Sequence, residues 1–191
     1  MERMTIDVGI DLGTTTSCIA VLEGVNPRVI RNNESAEFTP SAVSYDKKSR
    51  IHIGNIAKNQ LLSSDKNERH DVSLAFKRNM GQPGPFITFK VNDKQMTPIE
   101  LSAEILKELR NDAKRNLGQE ILAAAISIPA AFESPQSTAT DRAAGLAGFS
   151  LCPLIQEPVA AALTYGFQTK SDRVFWMIFS NFNTSNKRHS I

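Results

Sequence analysis

The sequence predicts an α/β fold, on three observations. Two short apolar runs open the chain as a strand hairpin, capped helices alternate with short apolar strands from Thr97 onward, and those strands carry little polar alternation. Strands separated by helices in this way imply a largely parallel sheet with helices laid over it.

The elements follow in order. Thr5–Ile10 and Cys18–Leu22 read as two strands, with Arg28–Asn32 as a third strand of the same meander. From Asn33 to about Met96 the character changes to short strands ("SAVSY", "RIHIG", "FITFKV"), two short amphipathic helices ("NIAKNQLL", "DVSLAFKRNM") and polar loops, the pattern of an inserted subdomain. Next comes the clearest helix, "TPIELSAEILKELRNDAKRNLG". Thr97 is its N-cap, Pro98 its first residue and Glu100 completes a capping box. Leu101, Ile105, Leu109 and Ala113 make one apolar stripe, and Gly118 stops the helix. "ILAAAISIP" is a strand, and "SPQSTATDRAAGLAG" a helix capped by Ser134 whose small residues allow close packing. "LCPLI" is a strand, "EPVAAALTYG" a helix, "RVFWMIF" an apolar strand, and "SNFNTSNKRHSI" a stretch without periodicity.

The 191 residues suffice for one good core or two small subdomains. A net charge of +2 gives no global attraction to nucleic acid or to a membrane surface, and no run approaches the length of a membrane span. The start "MERMTIDVG" has no apolar leader core, and Cys18 and Cys152 lie inside apolar segments as small buried residues. The expected location is the cytoplasm. His52, His70 and His189 are scattered and make no metal-ligand spacing.

Two stretches carry chemistry. In "VGIDLGTTTSCIAV" an acid, a glycine and three threonines stand where a tight hairpin turn would need only two turn residues. Backbone N–H groups of such a turn can form an anion nest, to which threonine hydroxyls add donors. Asp11, at the strand end, suits a metal ion held through water beside the phosphates. A polar hairpin whose Asp and Thr satisfy their own backbone is the competing reading. In "QEPVAAALTYG", Glu157 stands at a strand-to-helix junction, at the carboxyl end of the sheet, where ligands of open α/β sheets bind. Taken alone, Glu157 reads better as an ordinary helix-start residue.

"GIDLGTTTSCIAV", "FKRNMG", "ISIPAAF…Q…AT" and "IQEPVAAALTYG" together resemble the ATPase domain of the seventy-kilodalton heat-shock (DnaK-type) chaperones, in order and approximate spacing, from about Val8 to Phe179. The resemblance implies an actin-like ATPase fold with a ribonuclease H-like sheet, of which this chain is expected to carry the first lobe. Residues 1–39 and 105–179 would form the sheet-and-helix subdomain, 40–104 the inserted smaller α+β subdomain, and 180–191 a tail outside the family pattern. It implies ATP/ADP and Mg²⁺ as ligands. Gly13, Thr14 and Thr15 match the first phosphate loop, and Asp11 the carboxylate near the hydrated magnesium. Lys77 matches the family's catalytic lysine, Glu157 the acid that helps organise the metal's waters, and Pro129 a proline linked to signalling between domains. Without the resemblance, Lys77 reads as a solvated lysine on a short helix.

The implied partners are unfolded peptides, J-domain co-chaperones and nucleotide exchange factors, with self-association through an uncovered lobe face. The sequence departs from the family where Ser137 replaces arginine, Ala131 tyrosine and Gln156 asparagine, and the first two put coupling to a peptide domain in doubt. After "RVFWMIF" the family continues with an acid and a glycine triplet that form a second phosphate loop, where this chain has neither. Little or no ATP turnover is expected of a truncated lobe of this kind. Actin-like filament proteins and small-molecule kinases share the hairpin; Lys77 within "FKR" and the "SCIAV" run favour the chaperone.

Overall fold

The computed structural model describes residues 6–24, 26–63, 71–84 and 87–161. Strand β1 (Val8–Asp11) buries Val8 and Ile10 and leaves Gly9 and Asp11 exposed, the alternation of a strand with one covered face. It pairs antiparallel with β2 (Thr16–Glu23), which pairs with β3 (Asn26–Val29). The third strand thus starts two residues before the expected 28–32 and ends earlier. Asn32 is drawn out of the strand, because its side-chain oxygen accepts the amides of Glu34 and Ala36, each over 3.0 Å. An asparagine that satisfies the backbone after it makes a turn rather than a ladder.

On its other side β1 pairs parallel with β10 (Ala124–Ile128), and β10 pairs parallel with β11 (Leu154–Gln156). The described sheet therefore runs β11-β10-β1-β2-β3, with the short β4 (Thr39–Pro40) paired to the start of β2. Asp11 and Ser127 stand side by side in the β1–β10 register, as the α/β architecture requires.

Helix α2 (Pro98–Leu117) has the predicted ends. Thr97 accepts the Glu100 amide, Glu100 accepts the Thr97 amide, and Gly118 closes the helix at φ 67°. Leu101, Ile105, Leu109 and Ala113 are all buried. Helix α3 (Ser134–Leu146) packs on α2 through Ala139, Thr140, Ala143 and Ala144, small side chains that bring the backbones close. Its N-cap is Glu133, not Ser134 as expected, and the Gln136 side chain reaches back to the Glu133 amide over 3.2 Å. Residues 157–161 are helical; the remainder of that helix, the strand "RVFWMIF" and the tail lie outside the described residues.

The segment between β4 and α2 holds two small antiparallel sheets. One has the order β6-β5-β7, from β6 (Ile51–Ile53), β5 (Ala42–Tyr45) and β7 (Val72–Leu74). The other is the hairpin of β8 (Ile87–Phe89) and β9 (Lys94–Met96). "NIAKNQLL" forms the short helix α1 (Asn55–Asn59) and a 3₁₀ turn, Gln60–Leu62.

"DVSLAFKRNM" is not the expected helix. It is β7 followed by a 3₁₀ turn, Phe76–Asn79, with Ala75 between them in the left-handed region at φ 53°. Its apolar residues fall at every fourth position (Val72, Phe76, Met80), which imitates a helical stripe. Pairing of β7 with β5 fixes an extended backbone instead. Helix α2 runs unbroken across residues 104–105, and it packs on both the main sheet and the small sheets.

Candidate functional site

Three parallel strands end on the same edge of the sheet: β1 at Asp11, β10 at Ile128 and β11 at Gln156. Asp11 is the last residue of β1, and Glu157 follows β11 directly as the first residue of the helical segment 157–161. Both are exposed. Ser127, Asp11's neighbour on β10, donates its hydroxyl to Asp11 Oδ1 over 2.9 Å. Pro129 follows β10 directly, and its carbonyl accepts the Phe132 amide over 3.0 Å in the turn that leads to α3.

The turn after Asp11 is tight. A Cβ on Gly13 would lie 2.1 Å from the Thr16 carbonyl oxygen, so no other residue fits this backbone. Thr15 is exposed and Thr14 half-buried, and neither their amides nor their hydroxyls have a partner among the described residues. Gly13 differs, because its amide donates inward to Ser17 Oγ over 3.2 Å. Of the three residues matched to a phosphate loop, the threonines keep open donors and the glycine supplies the shape.

Lys77 is not solvated. The side chain is 5% exposed, and its ammonium donates to the Leu12 carbonyl and lies 5.3 Å from the centre of the Phe132 ring. Burial lowers its pKa from the ordinary lysine value, while the negative charges of Glu157 and Asp11 act to raise it. A buried ammonium facing two carboxylates is thus built from a 3₁₀ turn, a strand end and a helix start. Gly81 fixes the far side of that turn. Its φ is +76°, and a Cβ there would lie 2.7 Å from the Pro135 carbonyl carbon at the start of α3.

Cys18 faces Asp11 in the β1–β2 register, and burial with the Asp11 charge raises its pKa. Burial pushes Cys152 up to about 12, and both cysteines are free thiols.

Sequence reasoning missed Ser127 as Asp11's partner, Ser17 and Ser41 behind the turn, and the Leu12 carbonyl and Phe132 ring around Lys77. Ser127 had one visible signal, a lone hydroxyl in an otherwise apolar strand. The others had none, since each depends on which segments meet.

Two carboxylates at a sheet's carboxyl edge, a buried lysine that feels the charge of both and a glycine–threonine turn with open donors define the candidate site of an α/β protein. A family model described as "Hsp70 protein" matches residues 7–180. The chain belongs to the Hsp70 family, in its nucleotide-binding ATPase region. That family binds nucleotide and works with peptide substrates and co-chaperones.

Proposed function

We propose that this chain binds the phosphates of Mg-ATP at the carboxyl edge of its sheet, as the first lobe of an actin-like ATPase that drives protein folding. The supporting observation is the Lys77 ammonium, withdrawn from water beside Asp11 and Glu157 at the end of the phosphate turn. A buried cation without a bonded carboxylate is costly unless it meets charge from elsewhere, and a phosphate supplies it. The family match supports this reading over the filament and small-molecule kinase readings.

The residues fit magnesium held through water. Among the described residues no three His, Cys, Asp or Glu side chains form a metal cage, and magnesium needs none, since it keeps several waters and takes one or two carboxylates plus phosphate. Asp11 and Glu157 are those carboxylates, with Ser127 orienting Asp11. Bound magnesium would neutralise charge on the phosphate oxygens. The chain's own residues do the rest: Thr14 and Thr15 bind oxygens, Lys77 stabilises charge on the transferring group, and Glu157 orients water. Positioning and electrostatics are nearly the whole of catalysis in phosphoryl transfer.

In this reading Pro129 relays the state of the site to a peptide-binding partner domain, with J-domain co-chaperones and nucleotide exchange factors acting on the cycle. Ser137 and Ala131 weaken that relay. The test is calorimetric titration with Mg-ATP, with and without excess chelator, followed by single-turnover hydrolysis of labelled ATP by the chain and its Lys77→Ala variant. Magnesium-dependent binding, with slow hydrolysis lost in the variant, is the expected result. Equal heats for the chain and an Asp11→Asn variant would overturn the assignment.

A further inference from the structure

Two serines behind the phosphate turn close a ring of hydrogen bonds about a single residue. The Gly13 amide donates to Ser17 Oγ over 3.2 Å, the Ser17 and Ser41 hydroxyls lie 3.0 Å apart, and Ser41 Oγ donates to the Gly13 carbonyl over 2.8 Å. A hydroxyl has one proton to give. That of Ser41 goes to the Gly13 carbonyl, so the bond between the serines takes its proton from Ser17, which is left to accept from the Gly13 amide. Every donor and acceptor in the ring is used once, and its sense is fixed.

The ring is shut away from solvent, with Ser17 at 1% and Ser41 at 2% exposure. A backbone bond from the Ser41 amide to the Thr15 carbonyl, over 2.9 Å, ties the same strand end to the far side of the turn. Pairing of Thr16 with Pro40 and of Ser17 with Thr39 fixes the register between them. Both polar groups of Gly13 and the carbonyl of Thr15 are thereby engaged inside the protein, while the Thr14 and Thr15 amides and hydroxyls are left without partners among the described residues.

We propose that Ser41, directly and through Ser17, is a positioning residue for the phosphate turn. It holds the Gly13 peptide turned inward so that the threonines after it present their donors to phosphate oxygens. This rests on the phosphate-binding reading given above. In this arrangement Gly13 is not an anion donor. Its amide serves the ring, and its lack of a side chain lets the Thr16 carbonyl approach. Ser41→Ala leaves the Gly13 carbonyl without its hydroxyl donor and the Ser17 hydroxyl proton without an acceptor, and a buried polar group left unsatisfied drives local rearrangement.

The experiment uses amide-resolved NMR on the full chain, comparing wild type with Ser41→Ala, Ser41→Thr and a remote control, Ser150→Ala. The control removes a hydroxyl that bonds the Leu122 carbonyl at an exposed site. Without ligand, Gly13 amide exchange should be at least about tenfold faster in Ser41→Ala, with Ile10 unchanged. On titration with Mg-ATP, the shifts at Thr14 and Thr15 should shrink and Kd should rise at least about fivefold, both recovering in Ser41→Thr and both unaffected in Ser150→Ala. A purely structural serine would lower the melting temperature without this threonine-specific, hydroxyl-rescued change in affinity. If Gly13 exchange and Kd are the same in Ser41→Ala as in wild type, the positioning role is wrong. If exchange accelerates but wild-type threonines never respond to Mg-ATP, the phosphate-binding reading has failed and the ring is structural only. Should Ser41→Ala not fold, Ser17→Ala opens the same ring while keeping the Ser41 hydroxyl on the Gly13 carbonyl, and the same outcomes, with Ser17→Thr as the rescue, decide.

Discussion

Ser127 donates its hydroxyl to Asp11 Oδ1 over 2.9 Å, from the residue that stands beside Asp11 in the parallel register of β10 and β1. One carboxylate oxygen is thus held by the sheet itself. A hydrogen bond to a charged group contributes about 1.5–3 kcal/mol when buried, and this exposed pair belongs at or below the lower end of that range. Ser127→Ala should therefore weaken Mg-ATP binding about tenfold or less while the circular dichroism spectrum and melting temperature stay close to wild type. Calorimetry checks this, and an unchanged affinity would show that Asp11 is oriented without Ser127.

Lys77 gives a pH signature. Burial lowers its folded-state pKa from the usual lysine value, so between that lowered pKa and about 10.4 the unfolded chain holds more protons than the folded one. Stability due to this residue rises with pH through that window, and below the window the folded chain carries the full penalty of a buried charge. Lys77→Met removes the titration. The stability of the variant minus that of wild type, from urea melts, should shrink as pH is raised from about 8 to about 10.5. A pH-independent difference would mean that the ammonium remains solvated.

Asp112 behaves in the opposite sense. It lies on α2 at 2% exposure, and its Oδ1 accepts from Arg115. Its Oδ2 has no bonded partner among the described residues and borders a cavity of about 20 Å³ lined also by Glu34, Thr39, Gly54 and Glu108. The Asn33 amide lies near enough to favour the charged form without completing a bond. Burial, and then the charge of Glu108, raise its pKa to about 6.

A carboxyl whose folded pKa is raised holds its proton longer in the folded state, so stability falls as pH climbs from about 4 to about 6 and stays lowered above that. Asp112→Asn should stabilise the chain at pH 7 by about 1–2 kcal/mol, a figure discounted for screening through the polar cavity. The gain should vanish below about pH 4, where wild type is protonated in both states. Thermal melts at both pH values test this, and equal effects at the two would refute it.

Gly81 and Gly24 make a paired test of the Lys77 turn. Both have positive φ, +76° and +64°, but a Cβ on Gly24 meets open space, whereas one on Gly81 runs into the start of α3. Gly24→Ala should destabilise by about 1 kcal/mol, the left-handed penalty alone. Gly81→Ala adds a backbone clash, should destabilise by more than about 2 kcal/mol, and should reduce ATP affinity by displacing Lys77. Denaturant midpoints that match for the two variants would show that the turn yields freely.

What could be read in the sequence was what is local. The α2 cap lies within four residues, Thr97 to Glu100, and its stop is one glycine, so both ends were legible without knowing the fold. Asp11 was legible as a strand end because Val8 and Ile10 alternate before it. The third strand was placed too late because Asn32 competes with the ladder through its side chain, and residues 71–80 passed for a helix because their apolar spacing suits one. Burial of Lys77 was illegible for another reason. Nothing near it in sequence covers it, and the Leu12 carbonyl and Phe132 ring arrive from opposite directions along the chain.

The position of β1 has a consequence for the order in which the molecule is made. Its antiparallel neighbour β2 follows at once, but the parallel neighbour β10 arrives late, Ser127 lying 116 positions after Asp11. During synthesis the hairpin that carries the threonine turn emerges first and waits with Val8 and Ile10 uncovered until α2 and β10 exist. Contacts at such separation make folding slow, and a nascent chain with one open strand edge stays exposed to mispairing until the late strand arrives.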